Sequence, residues 1–150
     1  MLKEKTILLI EDNPDDVELT HRALKKNNIA NRVEVINEGD KALDYLLHRG
    51  SYSEENHSNP ALILLDLKIP KVDGINVLRQ IRSNEKTQLI PVVILTSSKE
   101  EQDLIDSYKL GANSYICKPV NLPQFVEAMG HLGPYWLILN EPPPDMEGVD

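Results

Sequence analysis

The sequence predicts an α/β fold, a doubly wound five-stranded parallel sheet with helices on both faces. Three observations predict it. First, short continuous apolar runs recur: "TILLI" (6–10), "VEVI" (33–36), "ALILL" (61–65), "PVVIL" (91–95) and "SYIC" (114–117). Such runs, bounded by turn signals, suit strands covered on both faces. Second, the segments between them carry apolar residues near a 3.6-residue period. Strands alternating with helices argue parallel pairing through right-handed crossovers. Third, 150 residues suit one domain.

Each element follows in order. The first strand runs into Glu11 and Asp12. "DDVELTHRALKKNN" then places Val17, Leu19, Ala23 and Leu24 on a helical stripe, and Asp15 and Asp16 favour its start through the helix dipole. After the second strand, "GDKALDYLLHRG" carries Ala42, Leu43, Leu46 and Leu47. Residues 49–60 are polar and turn-rich, so they predict a loop. The third strand ends at Asp66. Pro70 and Gly74 suit turn geometry, Gly74 tightly so after Asp73, and Lys71 is expected in solvent. "GINVLRQIRSN" carries Ile75, Val77, Leu78 and Ile81. The fourth strand ends in "LTSS", with Thr96. "KEEQDLIDSYKLG" offers only Leu104, Ile105 and Tyr108 as anchors. The fifth strand holds Tyr115, which suits a core aromatic, and Cys117, which reads as a buried small hydrophobe, before Lys118. "NLPQFVEAMGHL" closes the alternation with Phe125, Val126, Met129 and Leu132. His21, His48, His57 and His131 show no ligand spacing and are expected at the surface.

Composition excludes several functions. A net charge of -8 disfavours nucleic acid as a partner, because sequence-independent binding needs excess Lys and Arg. No apolar run approaches the ~20 residues of a membrane span, so no membrane partner is expected. The start, "MLKEKTILLIED", has too short an apolar core for a signal peptide. One cysteine cannot form an internal disulfide, which suits a reducing compartment. A cytoplasmic protein is the expectation.

The stretch "LILLDLKIP" poses the functional question. Asp66 ends a run that looks buried, where a charge is costly unless paired or metal-bound. In open doubly wound sheets, ligands bind beyond the carboxyl ends of strands, where strand order reverses. If the first and third strands are neighbours there, Glu11, Asp12 and Asp66 converge. Such acids repel one another unless a cation sits among them. All-oxygen ligands favour Mg²⁺ over zinc, with Mn²⁺ able to substitute. Thr96 and Lys118 end strands at the same edge. That inventory suits phosphoryl transfer: the metal and Lys118 neutralise phosphoryl oxygens while Asp66 attacks in line. The product would be an aspartyl phosphate. The plain alternative is that acids at strand ends merely start solvated loops.

"LLIED", "LLDLKIPKVDG", "VILTSS" and "YICKP" together resemble the receiver domain of two-component response regulators, over roughly residues 5 to 130. The resemblance implies a flavodoxin-like sheet in the order 2-1-3-4-5. It implies Asp66 as phosphoacceptor and Glu11 and Asp12 as the acids that hold Mg²⁺ with Asp66. The backbone carbonyl of Lys68 would complete the protein's metal ligands. Lys118 would bind the phosphoryl group, and Lys118–Pro119 would be a cis peptide. Thr96 and Tyr115 would form the switch pair. The partner would be a sensor histidine kinase, and the protein a phosphoacceptor rather than a conventional enzyme. The loop at 49–60, the "LKIPKVDG" variant and the extension "YWLILNEPPP" look like the phytochrome-associated subgroup of cyanobacteria and other bacteria.

Two other functions compete. An aspartyl-nucleophile phosphohydrolase of the haloacid dehalogenase type wants a second acid two residues after the nucleophile, and Lys68 stands there. A pseudo-receiver scaffold would not need the full set of acids with Lys118. The chain divides into a receiver at 1–132 and an extension at 133–150. A helix from Asn121 to Leu139 would span about 28 Å, against about 17 Å for a five-residue strand, and its end would overhang. Tyr135, Trp136, Leu137, Ile138 and Leu139 are apolar all round and need burial on more than one side. A homodimer built on this segment is expected; folding back on its own domain is the alternative. The last residues, 140–150, are acidic and proline-rich.

Overall fold

The computed structural model describes residues 5–118 and 121–134, with side chains through His131. Five strands, β1 (Ile7–Ile10), β2 (Val33–Ile36), β3 (Leu62–Leu65), β4 (Val92–Thr96) and β5 (Ser114–Cys117), form one parallel sheet in the order β2-β1-β3-β4-β5. Helices α1 (Pro14–Lys26), α2 (Gly39–Leu47), α3 (Gly74–Ser83), α4 (Glu101–Lys109) and α5 (Leu122–Pro134) alternate with them. The loop expected at 49–60 contains one turn of 3-10 helix, Gly50–Tyr52.

The strands are apolar throughout because both faces are covered. Leu8, Ile10, Ile63, Leu65, Val92 and Ile94 point into one layer with Leu43 and Leu46 of α2 and Val77, Leu78 and Ile81 of α3. Ile7, Leu9, Leu62, Leu64, Val93 and Leu95 point the other way, against Ala23 and Leu24 of α1 and Phe125 and Met129 of α5. This alternation is the two-residue period of a strand used twice. The edge strands β2 and β5 are only partly buried.

Local signals fix the helix starts. Asn13 caps α1, its Oδ1 accepting from the N–H groups of Asp15 and Asp16, with Pro14 in the first turn. Asp73 caps α3, its Oδ1 accepting from the Asn76 N–H at 2.9 Å. Gly74 is required by space: a Cβ there would lie 2.4 Å from the Asp66 carbonyl oxygen and from the Leu67 Cα.

α4 departs from the expected pattern. Leu104, Ile105 and Tyr108, expected to anchor it, are 38%, 39% and 51% exposed, and Ser107 is its buried residue. Cys117, expected in the core, is exposed, because β5 is an edge strand. His48 and His57 are not plain surface residues. The His57 ring stacks on Tyr45 at 4.0 Å and on His48 at 4.3 Å, pinning the 49–60 loop to α2. Lys71 is exposed as expected, with a left-handed backbone (φ 74°). Pro119 and Tyr135, Trp136, Leu137, Ile138 and Leu139 lie outside the described residues.

Candidate functional site

Strand order reverses between β1 and β3, since the chain winds outward from β1 to β2 and from β3 to β4 and β5. Ile10 pairs with Leu65, so the residues that follow each strand emerge side by side. The Asp66 N–H donates to the Ile10 carbonyl at 3.0 Å, and the Glu11 N–H to the Ile36 carbonyl at 3.0 Å. The strand backbone therefore aims both acids into one mouth. Glu11, Asp12 and Asp66 each offer a carboxylate oxygen there, all within 4.8 Å of one another. Glu11 and Asp66 are buried, whereas Asp12 is exposed.

Three acidic oxygens this close repel one another, and their donor chemistry is that of a hard divalent cation. The residues present fit Mg²⁺ or Mn²⁺, and this divalent-cation site is the one the strand ends predict.

Lys118 reaches the same mouth from the end of β5. Its backbone N–H donates to the Thr96 carbonyl at 2.7 Å. Lys118 is 5% exposed, and its ammonium donates to Glu11 Oε1 at 2.6 Å, Asp16 Oδ2 at 2.7 Å and Asp66 Oδ2 at 3.2 Å. Burial lowers its pKa, but the bonds to Asp16 and Glu11 outweigh burial and hold it above the usual lysine range.

The two buried acids are driven apart. Burial is the largest influence on Glu11, and with the neighbouring Asp66 it raises the pKa to about 7 against the pull of Lys118. Burial also pushes Asp66 up, but it is outweighed. The Lys68 N–H, which donates to Asp66 Oδ1 at 3.0 Å, acts with Glu11, Lys118 and the Thr96 hydroxyl to hold Asp66 below the usual range. Asp66 is thus the stronger acid of the pair and stays ionised at neutral pH.

Thr96 is buried at the end of β4, with its hydroxyl beside Asp66. Lys68 meets Asp66 through its N–H, and its side chain is exposed. Tyr115 does not reach the mouth. Its hydroxyl donates to the Ser98 carbonyl at 3.1 Å.

Two residues escaped the sequence reading. Asp16 serves as more than a dipole partner for α1, because it grips Lys118. Ser98, 2% exposed, joins five groups: its N–H donates to Thr96 Oγ1 (3.3 Å), its hydroxyl donates to Asp103 Oδ2 (2.5 Å) and accepts from the Glu100 N–H (3.4 Å), and its carbonyl accepts from Tyr115 and from Cys117 Sγ (3.6 Å). Its position two residues after Thr96 was the available signal.

Comparisons with known proteins agree with this geometry. The response regulator receiver domain profile matches residues 7–130. The probable methanogenesis regulatory protein FilR2 of Methanothrix harundinacea is 41% identical over 138 residues, covering 91% of this chain and 86% of the relative. Response regulator Rcp1 of Synechocystis is 40% identical over 133 residues, 89% of each chain. The Mn²⁺-bound structure of Rcp1 superposes with a TM-score of 0.83 at 38% identity, covering 93% of this chain and 99% of that one. The structure of the phosphorylated cyanobacterial phytochrome response regulator RcpA superposes with a TM-score of 0.85 at 38% identity, covering 94% and 99%. With its sheet order, its acid cluster and these likenesses, the chain belongs to the response regulator receiver domains, phosphoacceptors that act as conformational switches.

Proposed function

We propose that Asp66 is the phosphoacceptor of this receiver, and that a sensor histidine kinase of the phytochrome type supplies the phosphoryl group. The carrying observation is the placement of Asp66: an ionised carboxylate beside Glu11 and Asp12, with the Lys118 ammonium 3.2 Å from Oδ2. An Asp66 oxygen attacks phosphorus, and the bond from phosphorus to the donor's leaving atom breaks, its electron pair leaving with the donor. Lys118 is held where it can meet the charge on the phosphoryl oxygens. Glu11, Asp12, Asp66 and the Lys68 carbonyl would hold Mg²⁺, which would supply positive charge to the remaining phosphoryl oxygens. Thr96 then turns its hydroxyl to the new acceptors and Tyr115 follows inward, because a phosphoryl group brings roughly -1.5 to -2 charge. Likeness to Rcp1 and RcpA supports the phytochrome link.

The receiver at 1–132 carries this chemistry, and the extension at 133–150 builds a homodimer. Burying a large apolar side chain contributes about 1.5–3 kcal/mol, so burying several offsets much of an association cost of about 4–15 kcal/mol.

Intact-mass spectrometry with acetyl phosphate tests the central assignment. Wild type with Mg²⁺ gains one phosphoryl group; Asp66→Asn, or wild type in EDTA, gains none. Full labelling of Asp66→Asn sinks the proposal.

A further inference from the structure

We infer that Asp16 is a positioning residue that holds Lys118 in reserve and thereby strengthens divalent-cation binding, an inference that rests on the acid cluster being a cation site. The ammonium has three donors, and three carboxylates occupy them. Two of these, Glu11 and Asp66, belong to the cation cluster. A cation and the ammonium therefore compete for the same oxygens. A buried ammonium stripped of its partners is costly, so any cation that draws Glu11 and Asp66 away must leave Lys118 a counter-charge.

Asp16 is placed to be that counter-charge. It lies outside the three-acid cluster, and its side chain is 27% exposed, against 1% for Glu11 and 7% for Asp66. Its own backbone is fixed in the first turn of α1. The Asp16 N–H donates to Asn13 Oδ1 at 3.4 Å, and its carbonyl accepts from the buried Thr20 hydroxyl at 2.8 Å. The carboxylate thus stays in reach of Lys118 whichever way Glu11 and Asp66 turn. Without it, Lys118 leans on Glu11 and Asp66 alone and opposes the cation more strongly. Asp15, one residue earlier, carries the same charge in solvent and shares no bond with Lys118 among the contacts of that ammonium.

Calorimetric titration with Mn²⁺ at fixed ionic strength tests this on the full chain. Asp16→Asn should raise the Kd roughly three- to tenfold, the size of a lost charge contact screened nearly as in water. Asp15→Asn should leave it within about twofold, as suits a screened surface charge. In a Lys118→Met background the effect of Asp16→Asn should largely vanish, because Asp16 acts through Lys118. An unchanged Kd in Asp16→Asn overturns the inference. So does an equal loss with Lys118→Met, which would make Asp16 a plain local charge. Wild type that binds no Mn²⁺ would remove the cation site itself, and the inference with it; binding by wild type with no effect of Asp16→Asn removes only the role of Asp16.

Discussion

Glu11 and Asp66 share one mouth yet titrate in opposite directions, and stability should follow both. Glu11 is raised from 4.5 to about 7 by burial, so the folded protein holds a proton that the unfolded chain releases. Its contribution to stability is complete below about pH 4.5 and is lost as pH rises through about 7. Asp66, held below 3.8 against burial by the Lys68 N–H, Glu11 and Lys118, contributes above that pH and loses its contribution in acid. In EDTA, wild type should therefore melt at a lower temperature at pH 8 than at pH 6, and Glu11→Gln should flatten that slope. Thermal denaturation at the two pH values checks it; an equal slope in both proteins would refute the assignment. Adding Mg²⁺ at pH 8 should restore the lost stability, since a cation that binds only the folded state favours it.

At the scale of elements, α4 is expected to respond to phosphorylation. Its apolar residues are half exposed, and its first turn is tied down through Ser98 and Asp103. Ser98→Ala should leave phosphorylation complete by intact mass but shrink the phosphorylation-induced NMR shifts of residues 101–109 by at least about half. Wild-type shifts in that variant would rule out Ser98 as the link to α4. Gly74→Ala should cost about 1–3 kcal/mol in denaturant unfolding, as overpacking does, because the new Cβ meets the Asp66–Leu67 backbone. The elements that hold the acids were legible from the sequence because continuous apolar runs and strand-end acids depend on local chemistry alone. The runs at 33–36 and 114–117 match β2 and β5. Cys117, the stacked His57 and the grip of Asp16 on Lys118 were not legible. Each depends on which strand lies at an edge or which loop folds across a helix, and no local period carries that information. The α4 stripe failed for the same reason: its three apolar residues keep helical spacing, but no layer among the described residues covers them.

For the whole molecule, two layers on one thin sheet make each large side chain count. Phe125 is 1% exposed and joins α5 to the α1 layer, so Phe125→Ala should cost about 3–5 kcal/mol. Equilibrium urea unfolding measures it, and a loss under about 1 kcal/mol would mean that α5 is not part of the cooperative unit. Association is tested by sedimentation at micromolar concentration. The full chain should run as a dimer and Trp136→Glu as a monomer; a monomeric wild type, with and without phosphodonor, would place the extension on its own domain.

Lys118 is bonded to residues 107 and 52 positions earlier in the chain. A nascent chain therefore carries its acids long before it carries their lysine. Until β5 has been made and docked, Glu11 and Asp66 lack the ammonium that bonds to them in the folded protein. Closing so long a loop belongs to the slow part of folding. A ribosome-bound fragment ending before residue 118 should therefore take no label from acetyl phosphate, however native its first three strands.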